Sequence, residues 1–272
     1  MSVIEAIILG IVQGLTEFLP VSSSGHLVLL QRIFGIELPG LFFDTMLHLG
    51  TLAAVFAALW KDIWELLRKP FQKLTLFLIL GTIPAVIAAL VFGGTIEKLF
   101  DTAKLLGVSF LITTVLLVTA ELLSRRPLKS EDTKTKDNMK WYDALFIGIM
   151  QAIAIPPGIS RSGATISGAL FRRFDRSLAA RFSFLLSIPA ILGAVVLHSR
   201  DIVTGTVAIE EISIIAVIIG TLTAAVVGYF AVRFMLKIIR EKSLFGFAIY
   251  TGVLGILVLL DQFVTQIVFY QY

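Results

Sequence analysis

The sequence predicts an all-α polytopic membrane protein: six transmembrane helices plus two re-entrant helical hairpins, arranged as an inverted repeat in a single integral membrane domain, 1–272. Three observations carry this reading. The first is composition. Of 272 residues, 57% are hydrophobic and only 15% charged, with a mean hydropathy of +0.93. Soluble domains run near ~25% charged and ~45–50% apolar residues, so an ordinary water-soluble enzyme is excluded, and so is a disordered chain. The second is six separate apolar segments, each near the ~20 residues that a bilayer-spanning helix needs. The third is a pair of further apolar stretches, each interrupted in the middle by proline, glycine and clustered serine.

Along the chain, the first interrupted stretch covers about 3–36 and breaks at Leu19-Pro20-Val21-Ser22-Ser23-Ser24-Gly25-His26. Spans follow at roughly 41–60, 71–92 and 104–123, then one polar surface stretch, Ser124–Lys140. The second interrupted stretch covers about 142–172 and breaks at Ile155–Gly163, before spans at 179–198, 211–232 and 244–268. The arms of both interrupted stretches are at or below spanning length. Their breaks leave backbone groups unpaired, which membrane depth tolerates only where protein or a water-filled cavity satisfies them. They read as re-entrant hairpins, with a kinked spanning helix as the competing reading. The N-terminus has no basic region ahead of its apolar run, so no cleavable leader is expected.

The chain repeats itself. A shift of 138 places Gln13 on Gln151, Ser22 on Ser160, Ser24 on Ser162 and Gly25 on Gly163. The halves, about 1–138 and 139–272, each hold one hairpin and three spans. Three crossings is odd, so the second copy is inverted, an arrangement in which broken helices meet near the midplane. With hairpins that return to their own side, 18 of the 23 Lys and Arg residues collect on one face. The positive-inside rule makes that face cytoplasmic and puts both termini outside. Because the charges sit in loops between spans, the net +4 points to membrane topology and not to nucleic acid. Absence of cysteine removes disulfides, thiolate metal sites and thiol nucleophiles. The small-residue face of Gly81-Thr82 through Ala85, Ala88 and Ala89 suits close packing of another helix, which leaves a homodimer open without fixing the oligomeric state.

Polar residues at membrane depth default to function. The first hairpin supplies Gln13 and Glu17, four apart and so on one helix face, then Ser22, Ser23, Ser24 and His26. The second supplies Ser160, Arg161, Ser162 and Thr165 where a helix begins. A serine-rich, glycine-flanked turn opening a helix presents free N–H groups and the positive dipole end to a phosphate. Arg161 adds a permanently charged planar fork. Two such turns facing each other would clamp a pyrophosphate. Each feature also has a plainer reading: serines cap helices, Glu17 can pair with Arg161, and a lone histidine can be packing. Asp44 and His48, four apart in an otherwise apolar span, fit either a cavity lining or an internal brace.

The run Gln13-Gly14-Leu15-Thr16-Glu17-Phe18-Leu19-Pro20-Val21-Ser22-Ser23-Ser24-Gly25-His26 resembles the first signature of the undecaprenyl-diphosphate phosphatases, the bacitracin-resistance family. Pro157-Gly158-Ile159-Ser160-Arg161-Ser162-Gly163 resembles the second, and the likeness extends over essentially the whole chain. It implies hydrolysis of undecaprenyl diphosphate to undecaprenyl phosphate and phosphate, recycling the lipid carrier of cell-wall synthesis in the bacterial plasma membrane. It also implies bacitracin resistance, an active site opening outward, and a divalent metal, magnesium or calcium.

On that basis the expected catalytic residues are Ser23 as nucleophile, His26 as proton carrier for the serine or the leaving group, Glu17, and Arg161. Glu17 and Gln13 would hold the metal. Gln13, Ser22, Ser24, Gly25, Ser160, Ser162, Gly163 and Thr165 would bind substrate, the N–H groups of Ser160 and Ser162 with Arg161 stabilising phosphoryl charge. Architecture alone fits an inverted-repeat transporter or lipid-phosphate flippase equally well. What separates the two readings is the Ser/His/Glu/Arg set, since a carrier needs no nucleophile.

Overall fold

The computed structural model describes residues 1–34, 41–125, 133–203 and 213–269. Parts of the predicted elements lie outside these residues: the end of the first hairpin, positions 126–132 of the polar stretch and the start of the 211–232 span. Among the described residues the chain is all-helical. The helices are α1 (Val3–Phe18), α2 (Ser23–Phe34), α3 (Leu41–Ala58), α4 (Trp60–Arg68), α5 (Lys73–Thr102) and α6 (Leu106–Ser124). They continue as α7 (Trp141–Ile153), α8 (Arg161–Phe171), α9 (Arg176–Val203), α10 (Ile214–Glu241) and α11 (Phe245–Leu260).

Five helices are long and apolar enough to cross a membrane (α5, α6, α9, α10, and α11 with its continuation to Thr265), and α3 with α4 makes a sixth candidate bent by 81°. The bend lays α4 across the end of α3. Trp60 and Trp64 stack there with ring centroids 5.6 Å apart, and both are exposed, as suits amphipathic rings at a membrane–water boundary.

The interrupted stretches form two helix–turn–helix hairpins, α1–α2 and α7–α8, with arms of 16, 12, 13 and 11 residues. Local chemistry fixes their starts. Ser2 and Glu5 close a capping box on α1, Glu5 N–H donating to Ser2 Oγ at 3.2 Å and Ser2 N–H to Glu5 Oε2 at 2.7 Å. Pro20 then pushes Leu19 out of helical geometry, to φ −70°, ψ 143°, as proline does to the residue before it.

Small residues set the packing. α1 lies on α10 so closely that a Cβ on Gly10 would sit 2.5 Å from the Gly220 carbonyl oxygen, and one on Gly14 2.8 Å from that of Ala224. α7 lies on α5 in the same manner, Gly148 against Gly81. α6 meets α11 through Gly107 and Gly255. Between lipid-facing helices, close contact of this kind replaces the hydrophobic drive that operates in water. The Gly81 face, suited to close packing of another helix, is thus covered by α7 of the same chain.

One end of the bundle gathers the basic residues on carboxylates. Asp143, at the start of α7, accepts Lys134 Nζ at 2.5 Å and Arg172 Nε at 2.7 Å. Glu121, at the end of α6, accepts Arg125 at 2.9 Å, Arg176 at 3.1 Å and the Leu244 N–H at 3.0 Å. Arg181 reaches both oxygens of Asp62 on α4, at 3.0 and 2.8 Å. Asp143 and Glu121 are buried. These contacts bring the start of α7 and the end of α8 to the same end of the molecule.

Candidate active site

The turn between α1 and α2 is held by its own side chains. Ser22 adopts a left-handed φ of 73°, uncommon for a residue with a Cβ and unfavourable by about 1–2 kcal/mol. Its carbonyl accepts the first helical bond of α2, from the His26 N–H at 3.2 Å, and its Oγ accepts the Gly25 N–H at 3.3 Å. Ser22 therefore caps α2. The second turn repeats the device: Ser160 Oγ accepts the Gly163 N–H at 3.0 Å, and the Ser160 carbonyl accepts Ala164 N–H at 2.8 Å. Here the left-handed residue is Gly158, at φ 90°.

The tips touch. A Cβ on Gly25 would lie 2.9 Å from Gly158 Cα and 2.7 Å from Phe110 Cζ, and one on Gly163 would lie 3.3 Å from Pro20 Cβ. Ser162 Oγ donates across the junction to the Leu19 carbonyl at 3.0 Å.

Glu17, on the last turn of α1, is where the polar groups converge. Its Oε2 accepts the Ser23 hydroxyl at 2.6 Å and Gln13 Nε2 at 3.1 Å, and His48 Nε2 stands 3.9 Å away. Its Oε1 accepts Arg161 Nη2 from the second hairpin. The Glu17 side chain is only 5% exposed while those of Arg161 and His48 are 19% and 30% exposed. Ser23 and Ser24 are half-buried, so the site keeps an opening. Ahead of the first helical bonds, the N–H groups of Ser23 and Ser24 at one turn and of Arg161 and Ser162 at the other are the kind that bind anions.

Several expected residues have different partners. His26 is not on Ser23: Nδ1 lies 2.7 Å from the Ser22 carbonyl oxygen and Nε2 2.7 Å from the Tyr250 hydroxyl. The hydroxyl of Ser23 goes to Glu17 instead. The Ser160 N–H, expected to meet phosphate, donates to Thr113 Oγ1 at 2.9 Å, and its hydroxyl is the cap. Thr165 Oγ1 faces α9, 2.5 Å from Ser183 Oγ. Ser22 and Ser24 hydroxyls are 3.4 Å apart, as Ser160 and Ser162 are at 3.2 Å. Gly25 and Gly163 serve close approach.

Three residues complete the site from the spans. His48, left open by the sequence, stands beside Glu17 and is held by Nδ1 at 2.8 Å from the Asp44 carbonyl. Thr113 and Tyr250 carry no signal, a threonine and a tyrosine being ordinary in an apolar helix.

Among the described residues no three His, Asp or Glu side chains gather into a metal cage. Two oxygen donors do stand together: the Glu17 carboxylate, and Gln13 Oε1, which is buried and without a hydrogen-bond partner. Magnesium keeps several waters and is commonly bound by one or two carboxylates plus substrate phosphates. The donor set fits a cation shared with a diphosphate and does not fit a cage made by protein alone.

Comparison with known proteins agrees with the motifs. The sequence model of the family described as bacitracin resistance protein BacA matches residues 6–257. Undecaprenyl-diphosphatase 3 of Bacillus cereus is 48% identical over 97% of this chain and 98% of its own length. Undecaprenyl-diphosphatase of Carboxydothermus hydrogenoformans is 45% identical over 96% and 98%. That of Halothermothrix orenii is 40% identical over the same shares.

Proposed function

The chain belongs to the bacitracin resistance protein BacA family, and from that premise we propose how its two hairpins carry out the hydrolysis. The protein is an enzyme, an undecaprenyl-diphosphatase, releasing phosphate from undecaprenyl diphosphate to regenerate the undecaprenyl phosphate carrier and giving bacitracin resistance. One observation carries the mechanism: a single buried carboxylate, Glu17, receives the Ser23 hydroxyl from one turn and the Arg161 guanidinium from the other.

In this reading Ser23 Oγ attacks the terminal phosphorus, the bond to the lipid phosphate breaks, and the serine proton passes to Glu17 Oε2, already 2.6 Å away and within reach for general base catalysis. Water then attacks the phosphoserine, Glu17 returns its proton to the Ser23 oxygen, and inorganic phosphate leaves. Arg161 offers five N–H donors, of which the Glu17 bond takes one. The others, with the N–H groups of Ser24 and Ser162, hold the phosphoryl oxygens as charge spreads over them. His26, whose ring nitrogens meet the Ser22 carbonyl and the Tyr250 hydroxyl, holds the turn that presents Ser23, and the lipid phosphate departs as its anion. Gln13 Oε1 and Glu17 would hold a magnesium or calcium ion, which when bound neutralises diphosphate charge and orients it. A carrier would need the binding groups but no hydroxyl on a carboxylate.

The architecture proposed around this site is six spans with two re-entrant hairpins in an inverted repeat, halves about 1–138 and 139–272. Supporting it are the exchanged packing partners, α1 on α10 and α7 on α5, and the common end shared by the start of α7 and the end of α8. The basic end is assigned to the cytoplasm, both termini and the site opening to the outer side of the bacterial plasma membrane. Purified protein given a prenyl diphosphate should release phosphate, and a chelator should stop it. No release with metal present would overturn the hydrolytic reading.

A further inference from the structure

We propose that Tyr250 is a positioning residue for this hydrolysis, holding the His26 imidazole, and through it the Ser22 turn, in one orientation; the inference rests on the hydrolytic reading above. A carbonyl oxygen only accepts, so the Ser22 carbonyl 2.7 Å from His26 Nδ1 places the proton on Nδ1. In the neutral ring that leaves Nε2 with its lone pair, and the group facing it is the Tyr250 hydroxyl at 2.7 Å, which donates. The phenol ring also stacks on the imidazole, planes 10° apart and centroids 5.6 Å apart. Phe110 meets the imidazole edge-on, at 85° and 5.6 Å. Backbone, phenol and phenyl together hold the ring in one orientation.

His26 itself is buried, at 9% exposure, and the Tyr250 hydroxyl meets its Nε2 at 2.7 Å. Removing that hydroxyl takes a hydrogen-bond partner from a buried ring nitrogen, so the orientation of the imidazole depends on α11 through Tyr250.

Tyr250→Phe keeps the ring and the stack and removes only the hydroxyl. We expect kcat to fall about tenfold, the worth of one lost hydrogen bond, with KM within about twofold and an unchanged unfolding midpoint. In a His26→Ala background the same change should have no further effect, because coupled residues are not additive. Nitrogen-15 spectra of the three histidines, with His26 assigned by its alanine variant, give a readout independent of turnover. Wild type should show a protonated Nδ1 and a hydrogen-bonded Nε2 lone pair, and the Nε2 resonance should move in Tyr250→Phe. Wild-type kcat in Tyr250→Phe, independent losses in the double variant, or a proton resting on Nε2 would each overturn the proposal while leaving the phosphatase reading intact. A wild type that releases no phosphate would overturn both.

Discussion

In the first hairpin Ser22 takes the Gly25 N–H at 3.3 Å, and in the second Ser160 takes the Gly163 N–H at 3.0 Å. Gln13 and Gln151 occupy matching places, and both are buried. Glu17, however, matches Ile155, Ser23 matches Arg161, and His26 matches Ala164. The repeated residues are those that close a turn and start a helix. The residues that differ include those the proposed mechanism sets at the phosphate, hydroxyl and carboxylate on one side and the guanidinium on the other. Neither turn holds a complete set, and the Glu17–Arg161 pair joins them. The two turns share the same closing device and differ at the three positions that matter to the proposed mechanism.

The sharpest break of that division is Ser23→Ala, which keeps both caps and removes the hydroxyl. Phosphate release should fall at least about 10³-fold, as for loss of a nucleophile, with the helical content unchanged. Near-normal turnover would reduce Ser23 to a hydrogen-bond partner of Glu17. On the other side, Arg161→Lys keeps the charge and loses the fork, and kcat should drop about 10²-fold, comparable to losing one stabilising donor. Kinetics indistinguishable from wild type would mean that Arg161 only braces Glu17. Gly25→Ala tests the contact between tips: its methyl would meet Phe110 and Gly158, and overpacking of this kind destabilises by about 1–3 kcal/mol. A lowered unfolding midpoint together with lost activity is expected, and an unaltered midpoint would show that the tips can part.

The smallest expected effect concerns the hairpin entrances. Glu5 and Asp143 hold the same place on α1 and α7, each accepting the N–H three residues back, at 2.7 and 3.0 Å. Burial pushes the Asp143 carboxyl up, but Lys134, the Lys140 N–H and Arg172 outweigh it and hold it below the usual aspartate range. A lowered folded value means stability that is present above the unfolded pKa of about 3.9 and lost as pH falls through the folded value. Asp143→Asn should therefore lower the unfolding midpoint at neutral pH and flatten its decline below about pH 4, whereas Glu5→Gln should do little. Equal effects at the two entrances would remove the distinction.

Much of this was legible before any coordinates. The breaks at Pro20 and Pro156-Pro157 locate both turns, and the 138-residue shift pairs them. An acid in one and an arginine in the other, both at apolar depth, already suggest that they meet. What the residues could not disclose was which hydroxyl meets which base. Ser22, Ser23 and Ser24 are alike in type, and only the backbone at φ 73° turns Ser22 into the cap and leaves Ser23 for Glu17. Partners drawn from the spans were equally silent. Tyr250 and Thr113 lie 224 and 47 positions from the residues they hold, a separation that no local pattern encodes. The same limit explains the Gly81 face, which is a packing surface as expected but for α7 of its own chain.

The lodging of α1 against Gly220 and Ala224 has a consequence for biosynthesis. The hairpin bearing Ser23 leaves the ribosome some 200 residues ahead of α10, the helix that receives it. At roughly 5–20 residues per second, that is a wait of about ten seconds or more. Until then α1 lacks the helix on which Gly10 and Gly14 pack, so this hairpin reaches its final place only after α10 has been made.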